Sequence, residues 1–210
     1  MVHQTNMLLL DGFIMNNTTI SISEQFQKFG YILIENFIDP DTIKIISKYM
    51  ENKIQREEWT GGDDQSSYCY YSDPLIEVIL DQSLNQVSNI TGKELLPTYS
   101  YMRIYAEGDE LKKHVDRPSC EISLTVNVAY IGEPSPIFLM SRKNDKPISY
   151  ILNKGDAIVY KGCEIVHWRN PVEKNNIVVQ FMLHYVDKYG EFKNHKFDSR
   201  TRLGLPRGKK

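Results

Sequence analysis

The stretch YSYMRIYAEGDELKKHVDRPSCEISLTVNVAYI, residues 99–131, changes the periodicity of the chain. Before it, apolar residues recur at the three-to-four spacing of helices; from about Thr98 onwards they alternate, and Val, Ile, Tyr and Thr become frequent. Short turns containing Gly, Pro, Asn or Asp interrupt this alternation as far as Val186. The pattern predicts eight successive strands, at residues 99–105, 111–116, 121–131, 137–141, 148–152, 157–160, 164–169 and 177–186.

The first half of the chain carries the sequence signals of helix ends. Ser21 and Glu24 have the spacing of a capping box, and Gly30 is a typical stop after the helix. Asp39 and Asp73 each precede a proline, a pair that starts helices, and the second helix is predicted to run to Gly92. Residues 31–37 are predicted to form a strand. Residues 60–71 are predicted to form a loop, either a substrate lid or an ordinary surface loop.

Helices followed by an all-β run indicate an α+β fold with a mainly β core. We expect a double-sheet jelly roll or barrel, with the N-terminal helices packed on one sheet. Residues 1–97 would form a support region and residues 98–187 the β core of the same domain. Residues 188–210 would form a basic C-terminal tail. From Asp187 onwards the chain holds eight Lys or Arg against three acids, and we expect this tail to be solvated and partly disordered.

Composition excludes several classes of protein. The 210 residues are 41% hydrophobic and 25% charged, with a net charge of −2, so no whole-molecule field attracts nucleic acid or an anionic membrane. No apolar run approaches the roughly 18 residues that span a bilayer, so we expect a cytoplasmic protein without membrane association. The three cysteines form no Cys-x-x-Cys pair, which argues against a disulfide framework or a structural zinc cluster.

Two histidines and an aspartate form the candidate metal site. His114 and Asp116 lie two residues apart on a predicted strand, so their side chains point to the same face. A jelly roll can place the later strand that ends near His167 beside them. Two imidazoles and one carboxylate leave three open positions and suit non-haem Fe(II), whereas zinc favours a closed site or a single open position. The alternative is one surface histidine and one core histidine.

Three segments of the chain resemble a known family. They are residues 29–40, FGYILIENFIDP; residues 103–116, RIYAEGDELKKHVD; and residues 155–167, GDAIVYKGCEIVH. In type, order and spacing they are similar to the Fe(II)- and 2-oxoglutarate-dependent oxygenases, within the prolyl-4-hydroxylase-like branch. The resemblance implies a double-stranded β-helix, iron held by His114, Asp116 and His167, and 2-oxoglutarate and O₂ as co-substrates, with ascorbate as a supporting reductant.

The cation that would bind the distal carboxylate of 2-oxoglutarate departs from the family pattern. Ile177 stands where the branch usually places it, about ten residues after the distal histidine. Arg169 lies two residues after His167 on the same strand, and its planar fork suits a carboxylate, so it is our first assignment. Lys161 and Lys174 are the alternatives. Tyr105 matches the family tyrosine that often hydrogen-bonds the same carboxylate, although cross-strand packing would also explain it.

The substrate is less well defined than the chemistry. The resemblance implies hydroxylation of an unactivated C–H bond in a peptide or an amino acid, such as peptidyl or free proline. The basic tail leaves a nucleic-acid demethylase as an alternative, and a non-catalytic jelly roll with a vestigial or structural metal site is another. The oligomeric state stays open. Several further polar residues would either face the pocket or lie outside it: Arg117, Glu121, Thr125, Asn127, Gln180 and His184.

Overall fold

The computed structural model describes residues 20–56, 60–61, 65–142 and 145–206. The predictions that fall elsewhere, on the start of the support region, part of the 60–71 loop and the last four residues of the tail, lie outside the described residues. The helices are α1 (Ile22–Phe29), α2 (Pro40–Gln55), α3 (Pro74–Gln82) and α4 (Leu84–Thr91). The strands are β1 (Tyr31–Ile34), β2 (Thr60–Gly61), β3 (Tyr68–Tyr71), β4 (Leu95–Tyr105), β5 (Leu111–His114), β6 (Ile122–Ile131), β7 (Ile137–Met140), β8 (Pro147–Tyr150), β9 (Ala157–Lys161), β10 (His167–Arg169) and β11 (Ile177–Asp187).

The strands form two antiparallel sheets that face each other as a double-stranded β-helix. The larger sheet has the order β1-β9-β6-β11-β4-β3-β2, and the smaller has the order β5-β10-β7-β8. All eight strands predicted between residues 99 and 186 are present, with ends that differ by a few residues. The predicted fold class is therefore confirmed.

The helix starts follow from the caps that the sequence predicted. The Ser21 side chain accepts from the Glu24 amide, and the Glu24 side chain accepts in return from the Ser21 amide. Asp39 and Asp73 each accept two amides of the first turn that follows them. Gly30 ends α1 at φ 80°, where an added Cβ would lie 2.8 Å from Ile165.

The two faces of the larger sheet differ in polarity. The helix-facing side is apolar and fully buried, with residues of β6 and β11 packed on the helices: Leu124, Val126, Phe181 and Leu183 against Phe26, Ile46, Leu80 and Val87. The residues that alternate with them face the smaller sheet and are mostly polar: Ser123, Thr125, Asn127, Gln180, Met182 and His184. This alternation leaves a polar interior between the sheets, where a site can form.

Two local predictions are wrong. The helix expected from Asp73 to Gly92 is broken at Ser83 into α3 and α4. The 60–71 segment is not a simple loop, because β3 pairs with β4 and β2 pairs with β3 at the edge of the larger sheet. The strand β3 lies at the sheet edge and buries only one of its four residues, so its sequence did not need the alternation that predicts a strand.

Among the described residues, no helix combines the length and apolar character that a bilayer crossing requires.

The basic tail is exposed at most of its described positions, as expected, but Asp198 and Arg200 within it are buried. Arg200 donates to both oxygens of Glu77 on α3, at 2.7 and 3.1 Å, and both side chains are almost fully buried. Gly204 also donates to Glu77, and the Leu205 carbonyl accepts from Ser72 at 2.9 Å. One positive charge of the tail, that of Arg200, therefore neutralises the buried carboxylate of Glu77.

We expect truncation after Arg202 to destabilise the fold, because it removes hydrogen bonds to Glu77, Ser72 and Arg200 that are shielded from water. The loss in unfolding free energy, measured by urea denaturation, should be about 1–3 kcal/mol. Lys188→Ala, which breaks an exposed ion pair with Glu94, is the control and should leave the urea midpoint unchanged. Equal midpoints for the truncated and full-length chains would contradict this prediction.

Candidate metal centre

Strand pairing brings the three predicted ligand residues together. His114 ends β5, His167 begins β10, and the two residues are direct partners across the antiparallel pair. Their Nε2 atoms lie 3.5 and 3.6 Å from the same oxygen, Oδ1 of Asp116. The ligand atoms of all three lie within 4.8 Å of one another, so the group could hold a metal ion.

Backbone contacts fix the tautomer of both imidazoles. Nδ1 of His114 lies 2.7 Å from the carbonyl oxygen of Lys112, and Nδ1 of His167 lies 3.0 Å from that of Ile165. A carbonyl only accepts, so Nδ1 carries the proton in each ring and Nε2 keeps its lone pair. Metal-binding histidines in proteins are typically oriented by such a contact on the other ring nitrogen.

A short relay of hydrogen bonds orients Asp116. The Ser123 hydroxyl donates to Oδ2 of Asp116 at 2.7 Å and therefore accepts from Nδ1 of His184 at 2.9 Å. Burial alone would raise the pKa of Asp116, but the adjacent His114 and His167 side chains and the hydrogen bond from Ser123 hold it well below its usual range. Burial lowers the pKa of His167. The centre therefore offers an ionised carboxylate and a neutral buried imidazole, the forms that bind metals.

A second group of potential ligands, Asp116, Cys120 and His184, has a weaker donor set. Burial raises the pKa of the Cys120 thiol well above its usual range, whereas a metal requires the thiolate. The thiol also lies 3.0 Å from the Tyr99 hydroxyl, and Nδ1 of His184 is engaged with the Ser123 hydroxyl at 2.9 Å. The chemistry favours the site of His114, Asp116 and His167.

Gly162 allows the close approach of the loop that supports Asp116. Its carbonyl accepts from the Asp116 amide at 2.8 Å, and an added Cβ would lie 2.1 Å from the Cys120 carbonyl and 2.4 Å from Oδ2 of Asp116. We expect Gly162→Ala to displace the carboxylate and weaken metal binding by about 10–100-fold, measured by calorimetry. Gly108→Ala strains the backbone at φ 84° but has nothing within 4 Å of the added Cβ, so as the control it should lower stability without changing the metal affinity. Unchanged affinity in Gly162→Ala would refute the prediction.

A cavity of about 110 Å³ opens beside the three residues. Polar and aromatic side chains line much of it: Tyr99, Tyr101, Arg103, Tyr105, Thr125, Tyr160, Gln180 and His184. Of the residues whose orientation the sequence left open, Thr125, Gln180 and His184 therefore face the cavity. Asn127 is buried and donates to the Leu152 carbonyl at 3.0 Å.

Arg169 is buried at the inner end of this region. Its guanidinium donates to Oε1 of Gln180 at 2.9 Å and to the Ser135 carbonyl, and lies 5.5 Å from the ring centre of Tyr105. The side chain therefore points inward, as strand parity predicts, although it lies behind Tyr105 and Gln180 rather than in the cavity wall. Among the described residues, no carboxylate lies within 4 Å of it, and its Nε lacks a hydrogen-bond partner.

Lys161 and Lys174 do not lie in this region. Lys161 faces the helices, because it alternates with the inward-facing Tyr160, and its ammonium donates to Gln27 on α1 at 2.9 Å. Lys174 is exposed in the turn before β11. Neither lysine lines the described cavity, which argues against Lys161 and Lys174 as the cation that binds the co-substrate.

Two other polar candidates have structural partners. Arg117 donates to both oxygens of Asp198, at 2.7 and 2.8 Å, and so joins the loop after Asp116 to the C-terminal segment. Glu121 accepts from the Asp187 amide at 2.8 Å. Neither is among the residues that line the described cavity.

Sequence reasoning missed four polar residues of the cavity wall. Tyr99, Tyr101 and Arg103 lie on the same face of β4 as Tyr105, so the i, i+2 alternation could have identified them. Tyr160 was also missed, and its hydroxyl lies 3.4 Å from Nε2 of His167. In sequence it reads as one apolar residue of a buried strand, and nothing local indicates that its hydroxyl faces the site.

The architecture and the site define a double-stranded β-helix protein with a two-histidine, one-carboxylate centre. No protein-family model matches the chain, and no curated protein matches its sequence. Solved structures do match its fold, at identities of 10–13% for the three described next.

A prolyl-4-hydroxylase from Pseudomonas putida is 10% identical, with 78% of this chain and 96% of that chain covered and a TM-score of 0.63. A prolyl hydroxylase from Trichoplax adhaerens, in complex with a hypoxia inducible factor peptide fragment, is 13% identical (85% and 91% covered, TM-score 0.66). The epimerase SnoN, in complex with Fe³⁺, α-ketoglutarate and a nogalamycin, is 10% identical (90% and 94% covered, TM-score 0.68). In fold, the chain resembles the 2-oxoglutarate- and Fe(II)-dependent oxygenases, as its sequence motifs predicted.

Proposed function

We propose that this protein is an Fe(II)- and 2-oxoglutarate-dependent dioxygenase that hydroxylates an unactivated C–H bond. The observation that carries the proposal is the convergence of two Nε2 lone pairs and one carboxylate oxygen beside a cavity. Two imidazoles and a carboxylate form the donor set that suits non-haem Fe(II). When bound, iron and 2-oxoglutarate would supply oxidative decarboxylation to succinate and CO₂, coupled to insertion of one oxygen atom of O₂ into the substrate.

The residues of the chain would bind the metal ion and the co-substrate. His114, Asp116 and His167 would hold the metal ion and leave its other positions free. Arg169 would bind the distal carboxylate of 2-oxoglutarate, and the Tyr105 hydroxyl would contact the same group. A guanidinium that is 2% exposed and has no carboxylate within 4 Å among the described residues favours an anionic ligand, because burying an unpaired charge is costly.

For the substrate we favour a peptide or an amino acid, since the fold matches include two prolyl hydroxylases. A nucleic-acid substrate is less favoured, because two basic residues of the tail are paired, Arg200 with Glu77 in the interior and Lys188 with Glu94 at the surface. A non-catalytic binding module is the remaining alternative. It predicts metal binding without turnover.

The test is anaerobic addition of Fe(II) and then 2-oxoglutarate, followed by admission of O₂. We expect a weak visible charge-transfer band when both are bound, and succinate once O₂ is admitted, with ascorbate present to keep the iron reduced. Succinate release across a panel of amino acids, peptides and oligonucleotides then identifies the substrate class. A chain that binds Fe(II) but gives neither the band nor succinate would refute the proposal in favour of a binding module.

A further inference from the structure

We propose that the hydroxyl of Tyr160 competes with the metal ion for Nε2 of His167 and, once displaced, donates a hydrogen bond to the 2-oxoglutarate bound beside it. This inference rests on the proposed function for its second half. It adds a residue that contacts the co-substrate and that is not among the ligand and anchor residues predicted from the sequence.

The first step of the argument is the contact itself. Oη of Tyr160 lies 3.4 Å from Nε2 of His167, and the two rings are 4.6 Å apart between centres. Because Nδ1 of His167 already donates to the Ile165 carbonyl, Nε2 can only accept. A phenol keeps its proton at neutral pH, so the hydroxyl is the donor of this hydrogen bond. It therefore uses the lone pair that a bound metal ion needs.

The second step concerns where the hydroxyl can go. Tyr160 is 2% exposed and is held by the sheets on both sides, so the ring cannot swing into water when a metal ion takes Nε2. A buried hydroxyl that loses its acceptor is costly unless it finds another.

The third step identifies the new acceptor. Oη is as close to Nε2 of His167 as Oδ1 of Asp116 is, at 3.4 and 3.6 Å. The hydroxyl therefore lies at the edge of the metal site, on the cavity side, where an anionic co-substrate would enter. A hydrogen bond to a carboxylate is stronger than one to a neutral imidazole, so 2-oxoglutarate satisfies the displaced donor.

The proposal is tested with Tyr160→Phe, which removes the hydroxyl and keeps the ring. Affinity for Co(II), measured by calorimetry without co-substrate, should rise about two- to tenfold, because no hydroxyl has to leave Nε2. Affinity of the anaerobic Fe(II) protein for 2-oxoglutarate should fall about tenfold, with a shifted charge-transfer band. These opposite changes separate the proposed role from a structural one, which would weaken both.

Tyr185→Phe is the matched control. Tyr185 is fully buried on the helix side of the larger sheet, where its hydroxyl donates to the Leu80 carbonyl at 2.7 Å, so its loss should lower stability without changing either affinity. Parallel losses of both affinities in Tyr160→Phe, or none beyond those of the control, would overturn the proposal. If the wild type binds no 2-oxoglutarate, both the oxygenase proposal and the proposed hydrogen bond from Tyr160 to 2-oxoglutarate fail. A higher Co(II) affinity in Tyr160→Phe would still support competition between the hydroxyl and the metal ion for Nε2 of His167.

Discussion

Alanine at His114, Asp116 or His167 is expected to abolish succinate formation and to reduce metal binding to background. Only three protein ligands are available at the proposed centre, and Oδ1 of Asp116 is shared by both Nε2 atoms. Removing any one ligand therefore leaves two donors, too few to retain Fe(II) against water. The fold should survive, because the three residues lie beside the polar cavity between the sheets and not in the apolar core on the helix-facing side.

The measurement combines Fe(II) binding, succinate release and the thermal midpoint for each variant. Asp116→Glu should also fail, since the added methylene moves the carboxylate away from the two imidazoles. His195→Ala is the matched control, because His195 lies in the C-terminal 3-10 segment beside Phe192 and does not line the described cavity. Turnover retained in any variant of the three would refute their assignment as the iron ligands.

The parts of the fold that the sequence predicted well are those with local causes. Asp39 and Asp73 cap helices by accepting amides two and three residues further on, so a short window contains all the interacting groups. The strands of the core are long enough for alternation to be clear. The sequence predicted that three residues would lie together, because His114 and Asp116 are i, i+2 neighbours and His167 follows a turn motif.

What the sequence missed depends on contacts between distant segments. Arg200 is buried because Glu77, 123 positions earlier, accepts two of its hydrogen bonds. β3 forms because β4 offers it an edge, and its own sequence carries little strand pattern. Because Tyr160 and Lys161 are adjacent on β9, their side chains point to opposite faces of the sheet. Only the stacking of the two sheets shows that Tyr160 is the one that faces the site.

Replacing Arg169 with leucine is expected to raise the apparent KM for 2-oxoglutarate by about 10–100-fold and to leave Fe(II) affinity unchanged. A buried, charge-assisted pair with a carboxylate contributes about 1.5–3 kcal/mol, and leucine offers neither charge nor donor. Arg169→Lys should recover part of the loss, because a lysine ammonium supplies the charge without the planar fork. The unfolding free energy of the ligand-free protein should change little, since the lost hydrogen bonds to Gln180 and Ser135 are offset by the removal of a buried charge.

The controls for Arg169 are Lys161→Ala and Lys174→Ala, which remove cations that lie outside the cavity and should keep wild-type dependence on 2-oxoglutarate. A second readout is the rise in thermal midpoint when 2-oxoglutarate is added to the Fe(II) protein under anaerobic conditions, because a ligand stabilises only the state it binds. This rise should nearly disappear in Arg169→Leu and persist in both lysine variants. If Arg169→Leu instead keeps the wild-type KM, the carboxylate is held elsewhere, and Arg103 on the cavity face of β4 becomes the cation to test.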